Sequence, residues 1–202
     1  RWAVAEGMRS DNPAVAEALA LPKFEQKVKH RKALPYSEVA SCIETVRASG
    51  AGLSTKLALE FLVLTAARSG EVRGALWSEL DFHGADRATI ATSATWNIPA
   101  ERMKAKKPHS VPLPTRTLEI LREDESLYDG SGMVFPGTKQ GRALSDMTLS
   151  KLVKELGFDA DVHGFRTSFR TWAQERTNFP REIAEAALAH GIRDKAEAAY
   201  AR

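Results

Sequence analysis

At 202 residues, 43% of them apolar, the chain is long enough for one full-sized domain, or a domain and part of another, with a core that needs no staples. Its 29 Lys and Arg exceed its 26 Asp and Glu by three, so net charge argues little for an anionic partner and local clustering must carry that argument. One cysteine excludes an internal disulfide, and no apolar run approaches the roughly 18 to 20 residues of a membrane span.

Residues 1 to 20 read as a helical stretch (Val4, Met8, Val15, Ala18, Leu19) broken by Asp11-Asn12-Pro13, a turn signal whose Pro restarts a helix. A helix pair this short cannot bury itself and resembles the tail of a domain that begins upstream. The opening at Arg1 rather than Met fits that reading. In LPKFEQKVKHRKALP, Lys23, Lys27, Lys29, Arg31 and Lys32 crowd between two prolines, which reads as a linker with a basic face. If the protein holds DNA, the linker becomes a phosphate-tracking strap.

Ser37 is placed to cap a helix through Ala48, in which Cys42 falls among Val39, Ile43 and Val46 and serves core packing in a reduced, cytosolic compartment. After Gly50-Ala51-Gly52, Ser54 or Thr55 would cap a helix over Leu57 to Ala67, apolar nearly all round apart from Glu60 and therefore central to the core. Arg68 stands at its end, with Glu71 three residues on and Arg73 beyond. ATIATSATWNIP alternates and is β-branched, predicting two short strands; SVPLP predicts a third, and the basic loop ERMKAKKPH joins it to the second. The resulting hairpin carries Arg102, Lys104, Lys106 and Lys107. Helices resume at Thr115 to Arg122 and, after a Gly-rich loop, at a Ser145-capped segment with a Leu149, Leu152, Val153, Leu156 stripe that stops at Gly157. Phe165, Phe169, Trp172 and Ala173 share one face of the next helix. Pro180 opens another that runs to His190-Gly191, and Asp194 with Glu197 suggests a last short helix bearing Tyr200.

Several of these residues suit attack on a phosphodiester, which needs cations around the non-bridging oxygens, a nucleophile and a proton donor for the leaving oxygen. Arg68 and Arg166 offer planar guanidinium forks, and His163 precedes Arg166 by one helical turn. His163 and His190 can bond phosphate or exchange a proton near neutral pH. Tyr200, in AEAAYAR, has little packing reason to exist and is the candidate nucleophile, given cations to grip the phosphate and a proton acceptor. A lysine on the hairpin can act as general acid; chemistry alone does not choose Lys104 over Lys106 or Lys107. A ligand set of Asp161, His163 and His190 does not follow a zinc spacing, so a metal site is not expected. His30, His83 and His109 read as linker or loop residues.

The ordered set Arg68 (AARSGEVRGALW), Lys104 (before VPLP), His163-x-x-Arg166 (HGFR), His190 (LAH) and Tyr200 (AAY) resembles the signature of the tyrosine site-specific recombinases, in particular the integrases of phages and genomic islands. The resemblance covers about residues 34 to 202 and singles out Lys104 by its distance from Val111-Pro112-Leu113. It implies an α+β, mainly helical catalytic domain, with a small three-stranded antiparallel sheet beside a helical core, at 34–202. Residues 1–33 would be the tail of an N-terminal core-binding domain plus the linker. It further implies that Arg68, Arg166 and His190 hold the scissile phosphate, His163 assists proton transfer, Lys104 protonates the 5′-hydroxyl and Tyr200 forms a 3′-phosphotyrosine bond. No ATP, metal or other cofactor is then needed. Glu71, at a familiar family position, is read as structural support. Implied partners are double-stranded DNA attachment sites, other protomers in a synaptic tetramer and DNA-bending accessory proteins, in a bacterial cytoplasm at the nucleoid, with no membrane. Family members tend to continue past the tyrosine with a segment that docks on a neighbour, whereas this sequence stops at Arg202. Two alternatives remain: relaxation of DNA by a type IB topoisomerase, disfavoured by LAH-x9-Y and GEVRGALW, and a non-catalytic DNA-binding module, disfavoured by the intact tyrosine and lysine.

Overall fold

The computed structural model describes residues 2–12, 32–84 and 93–190. The chain divides into two compact units, Arg1–His30 and Arg31–Arg202. Of the first, the described part is helix α1 (Trp2–Ala5), closed by a turn in which the Met8 N–H donates to the Ala3 carbonyl at 2.9 Å and Gly7 takes a positive φ of 69°. The restarted helix after Pro13 and the basic run Lys23–Arg31 lie outside the described residues.

The second unit is built around helix α3 (Leu53–Thr65), which is preceded by α2 (Val39–Ala48) and followed by α4 (Ser69–Arg73). Leu57, Ala58, Leu59, Phe61 and Leu62 are all buried, because nearly every face of α3 meets another element. Phe61 sits edge-on between Trp96 and Phe135, with ring centroids 5.4 and 5.3 Å away. Glu60, 2% exposed, is the charge inside this helix. It is tolerated because Arg47 Nε donates to its Oε2 at 3.0 Å and Arg116 Nε to its Oε1 at 2.7 Å. Cys42 is buried in the same core, and burial pushes its thiol up to about 11.

The sheet is antiparallel, in the order β1 (Leu80–Asp81), β2 (Ala94–Ile98), β3 (His109–Leu113). Trp96 pairs with Leu80 on one side and Val111 on the other. Ala94, Trp96 and Ile98 point to the core while Thr95 and Asn97 point away, the period of a one-sided sheet. Pro112 is accommodated because β3 is an edge strand. Among the described residues the first strand is Leu80-Asp81, too short to show alternation in the sequence, and the strand expected over residues 88–92 lies outside the described residues.

Helix α5 (Thr115–Glu125) packs on α3, and α6 (Thr148–Glu155) buries Leu149, Leu152 and Val153. Gly157 (φ 84°) ends α6, letting the Phe158 N–H return to the Val153 carbonyl at 3.2 Å. Helix α7 (Gly164–Arg176) and helix α8 (Arg181–Ala187) complete the unit. On α7, Phe165 and Ala173 enter the core, but Phe169 and Trp172, the latter 43% exposed, line an open groove of about 430 Å³ with α2 and α3. The shared apolar face is therefore only half covered.

None of the expected serine caps forms. Ser37 lies inside a 3-10 turn (Tyr36–Glu38), the Ser54 hydroxyl donates to the Pro136 carbonyl at 2.8 Å, and Ser145 Oγ bonds Thr148 Oγ1 at 2.8 Å. Among the described residues no helix is long and apolar enough to cross a membrane.

Candidate active site

Helix α3 stops where Ala66 turns left-handed (φ 49°). The chain then leaves extended through Arg68 (φ −80°, ψ 147°), which stands ahead of α4 rather than at the end of the buried helix. Glu71, buried at 5% exposure, accepts from the Arg68 backbone N–H at 2.8 Å and from Nη1 at 2.7 Å. One carboxylate thus caps α4 and fixes the guanidinium.

His163 and Arg166 sit one turn apart at the start of α7, but in different surroundings. His163 is the exposed N-cap, whereas Arg166 is 4% exposed. The glycine between them is required by a crossing chain: a Cβ on Gly164 would lie 2.1 Å from the Lys32 carbonyl oxygen and 2.8 Å from Ala33 Cα. Residues 32–34 are tied across this helix start. The Asp161 N–H donates to the Lys32 carbonyl at 2.9 Å, and the Ser168 hydroxyl donates to the Leu34 carbonyl. The Lys32 ammonium is engaged with Asp159 at 2.6 Å, so this member of the basic linker already has a carboxylate partner.

Arg166 reaches under the site. Its Nη1 donates to the Ala66 carbonyl and its Nη2 to the Leu188 carbonyl, both exposed by helix ends. Nη2 also lies 3.2 Å from His190 Nε2, while the shielded Nε has no hydrogen-bond partner among the described residues. Burial, then the nearby charge of Arg68, pushes the guanidinium down to about 10, with Glu71 and Glu185 pulling the other way. It stays charged at neutral pH. A buried cation beside a second cation, with an unsatisfied N–H, is matched to an oxyanion.

His190 stands at the C-terminal cap of α8, beyond Leu188 and Ala189. Its Nδ1 is 2.6 Å from Glu185 Oε2, and Arg170 Nε lies 2.8 Å from the other oxygen of that carboxylate. Burial raises the Glu185 carboxyl, but the His190 hydrogen bond and the charges of Arg170, His190 and Arg181 outweigh it and hold the group below its usual range.

The β2–β3 connection holds the lysines. Arg102 and Met103 are its anchors: Met103 is buried, and Arg102 donates to both Glu79 carboxylate oxygens and to the Glu71 carbonyl. Arg102 is thus not one of the free cations of the hairpin. Lys104, Lys106 and Lys107 are exposed on the turn beyond it. The structure therefore brings Arg68, Arg166 and His190 together, places His163 at the head of the helix carrying Arg166, and sets Lys104 on the hairpin turn. Tyr200, with Asp194 and Glu197, lies outside the described residues. Among those residues no group of three or more His, Cys, Asp or Glu could hold a metal ion.

A profile described as "Phage integrase family" matches residues 32–201. The chain belongs to the phage integrase family. Among similar integrases is that of Enterobacteria phage P4, 29% identical over 99% of this chain and 47% of the relative. Prophage integrase IntZ of Escherichia coli K12 is 31% identical over 81% and 40%, and the putative protein IntB of the same strain is 29% identical over 99% and 52%. This integrase-family chain spans about half the length of the curated relatives it matches. Among solved structures, XerH site-specific recombinase bound to difH substrate aligns with a TM-score of 0.62 at 20% identity, covering 84% of this chain and 50% of that one. A lambda integrase dimer bound to a COC′ core site aligns at 0.59 and 20%, covering 100% and 55%. The fold is that of a tyrosine-recombinase catalytic domain.

Sequence reasoning missed Glu185, Arg102 and the two carbonyls that hold Arg166. Glu185 carried a faint signal, five residues before a histidine at a helix end. Arg102 was concealed in a cationic run whose lysines are solvated, and its partner Glu79 lies 23 positions away.

Proposed function

We propose that the chain is the catalytic part of a site-specific integrase that cuts and rejoins DNA through a covalent 3′-phosphotyrosine. The observation that carries this reading is the buried Arg166, held by two main-chain carbonyls, with an unpartnered Nε and with Arg68 and His190 beside it. Such a pocket stabilises the charge that builds on the non-bridging oxygens of a phosphodiester during displacement. The Tyr200 oxygen attacks phosphorus as its phenol proton passes to His163, the P–O5′ bond breaks, and Lys104 gives its proton to the departing 5′-oxygen. Attack by a 5′-hydroxyl on the phosphotyrosine reverses these steps and joins the strand to a new partner. The bond energy stays in the phosphotyrosine link.

The partners in this reading are double-stranded DNA attachment sites, further protomers in a synaptic tetramer and DNA-bending accessory proteins, at the nucleoid of a bacterial cytoplasm. Related folds were captured as a dimer on a core site and as a tetramer on a Holliday junction. Residues 1–33 would form the end of a DNA-gripping domain and its linker, with 34–202 the catalytic domain.

The test uses the full-length protein and a nicked DNA carrying its attachment site. A covalent 3′ adduct in wild type, absent in Tyr200→Phe, is the expected result. DNA binding with no adduct under any condition would instead leave a DNA-binding module. Relaxation of supercoiled DNA without exchange between sites would favour topoisomerase-like action.

A further inference from the structure

Four side chains from two helices close a ring beside the phosphate pocket. Helix α7 supplies Arg166 and, one turn later, Arg170; α8 and its cap supply Glu185 and His190. The order around the ring is Arg166, His190, Glu185, Arg170, with contacts of 3.2, 2.6 and 2.8 Å between successive members. The last link returns along α7 from Arg170 to Arg166.

The backbone makes this closure specific to the pair Glu185 and His190. Ala189 turns left-handed (φ 48°), its N–H donates to the Ala186 carbonyl at 2.9 Å, and the His190 N–H donates to the Glu185 carbonyl at 2.9 Å. This is the paired closure of a Schellman cap, which lays the residue after the left-handed one back over the last turn. Glu185 therefore grips His190 twice, by its carbonyl at the main chain and by its carboxylate at Nδ1.

For the neutral ring, the hydrogen bonds assign the proton to one nitrogen. A guanidinium has donors and no acceptor, so the ring nitrogen facing Arg166 Nη2 must accept. Nε2 then presents a lone pair, and the proton sits on Nδ1, where Glu185 receives it. The charged groups around the imidazole are Glu185 and Arg181 from α8, Arg166 and Arg170 from α7, and Arg68 through its proximity to Arg166.

We propose that Glu185 is a positioning residue that locks His190 as the Nδ1–H tautomer with Nε2 aimed at the phosphate pocket. An anion seated on Arg166 then meets Nε2 and never Nδ1: the imidazolium's second proton is carried at Nε2 and donated to the anion, and the Glu185 contact at Nδ1 is undisturbed. Without Glu185 the ring is free to rotate, and a fraction of molecules turns the wrong edge to the phosphate.

The inference rests on the recombinase reading above, so its test has one readout independent of DNA cleavage. In full-length protein with 15N-labelled histidine, the long-range imidazole spectrum of His190, assigned by its loss in His190→Gln, is expected to show one species protonated at Nδ1. Glu185→Gln, whose amide oxygen still accepts from Nδ1–H, is expected to keep that species. Glu185→Ala is expected to lose it and to form the Tyr200 adduct on the order of tenfold more slowly at saturating DNA, with DNA affinity changed less than the rate. The Gln variant should recover most of that rate. A wild-type ring protonated at Nε2, or a Glu185→Ala protein with the wild-type tautomer and rate, would overturn the proposal. If wild type forms no adduct at all, the recombinase reading fails while the spectra still decide the role of Glu185.

Discussion

Arg102 joins the hairpin to the support of Arg68. Its Nη1 donates to both oxygens of Glu79, and its Nη2 donates to the carbonyl of Glu71, the residue whose carboxylate grips Arg68. Glu79 also accepts from Trp96 Nε1 at 3.0 Å and from the Leu76 N–H at 3.2 Å, so the joint includes strand β2 as well. The base of the lysine turn is set by the same side chain that abuts the arginine turn. Arg102→Ala leaves the buried Glu79 without its cation, and a loss of about 3 kcal/mol in urea unfolding is expected. Adduct formation should fall further than DNA affinity, because Lys104 loses its anchor two residues away. A stability change within about 0.5 kcal/mol of wild type would show that the joint is not strained by losing Arg102.

Gly164 tests the crossing of residues 32–34 over α7. The atoms that would meet a new Cβ, the Lys32 oxygen at 2.1 Å and Ala33 Cα at 2.8 Å, are backbone and cannot swing aside. Gly164→Ala is therefore expected to destabilise the domain by about 3 kcal/mol, despite the better helix propensity of alanine, and to lower Tm by roughly 10 °C. An unchanged Tm would mean that the strap shifts freely.

Ala189 offers the opposite sign. It occupies the left-handed position of the α8 cap, where a side chain costs roughly 1 kcal/mol and glycine costs none. Its methyl is only half-buried, so little packing is lost. Ala189→Gly should raise the unfolding free energy by about 0.5 to 1 kcal/mol, measured by the urea midpoint at constant m-value. Ala66 is the control: it is equally left-handed (φ 49°) but buried, so Ala66→Gly should gain less.

The parts of this architecture that sequence reading reached are those encoded locally. The apolar run Leu57–Leu62 announces a buried helix, alternation announces β2 and β3, and Arg68, Arg166 and His190, which the structure brings together, stand out by residue type. The parts it missed depend on partners remote in sequence. Ser54 is a good cap by type, yet its hydroxyl meets Pro136, 82 positions away. Arg102 looks like its lysine neighbours until Glu79 folds beneath it. Leu80-Asp81 becomes a strand only because Trp96 and Thr95 pair with it. The pocket at Arg166 is made from carbonyls at Ala66 and Leu188, which no side-chain pattern can reveal.

Glu60 gives the acid limb of stability. The cost of burial raises its carboxyl, but the hydrogen bonds and charges of Arg47 and Arg116 prevail and bring it from an ordinary 4.5 down to about 2. A folded-state value below the unfolded one means that the unfolded chain binds protons first as the pH drops. The stabilisation is therefore complete above about 4.5 and is lost as pH falls from there towards 2, an effect of about 2 to 3 kcal/mol. Glu60→Gln keeps the shape, removes the charge and leaves Arg47 and Arg116, both partly solvated, to turn outward. The variant should be less stable than wild type by about 2 kcal/mol at pH 7, and the gap should close across the same window. Urea unfolding of both proteins from pH 7 to pH 2 decides it: parallel curves would place the acid sensitivity elsewhere, for example at Glu185, whose carboxyl is also held low.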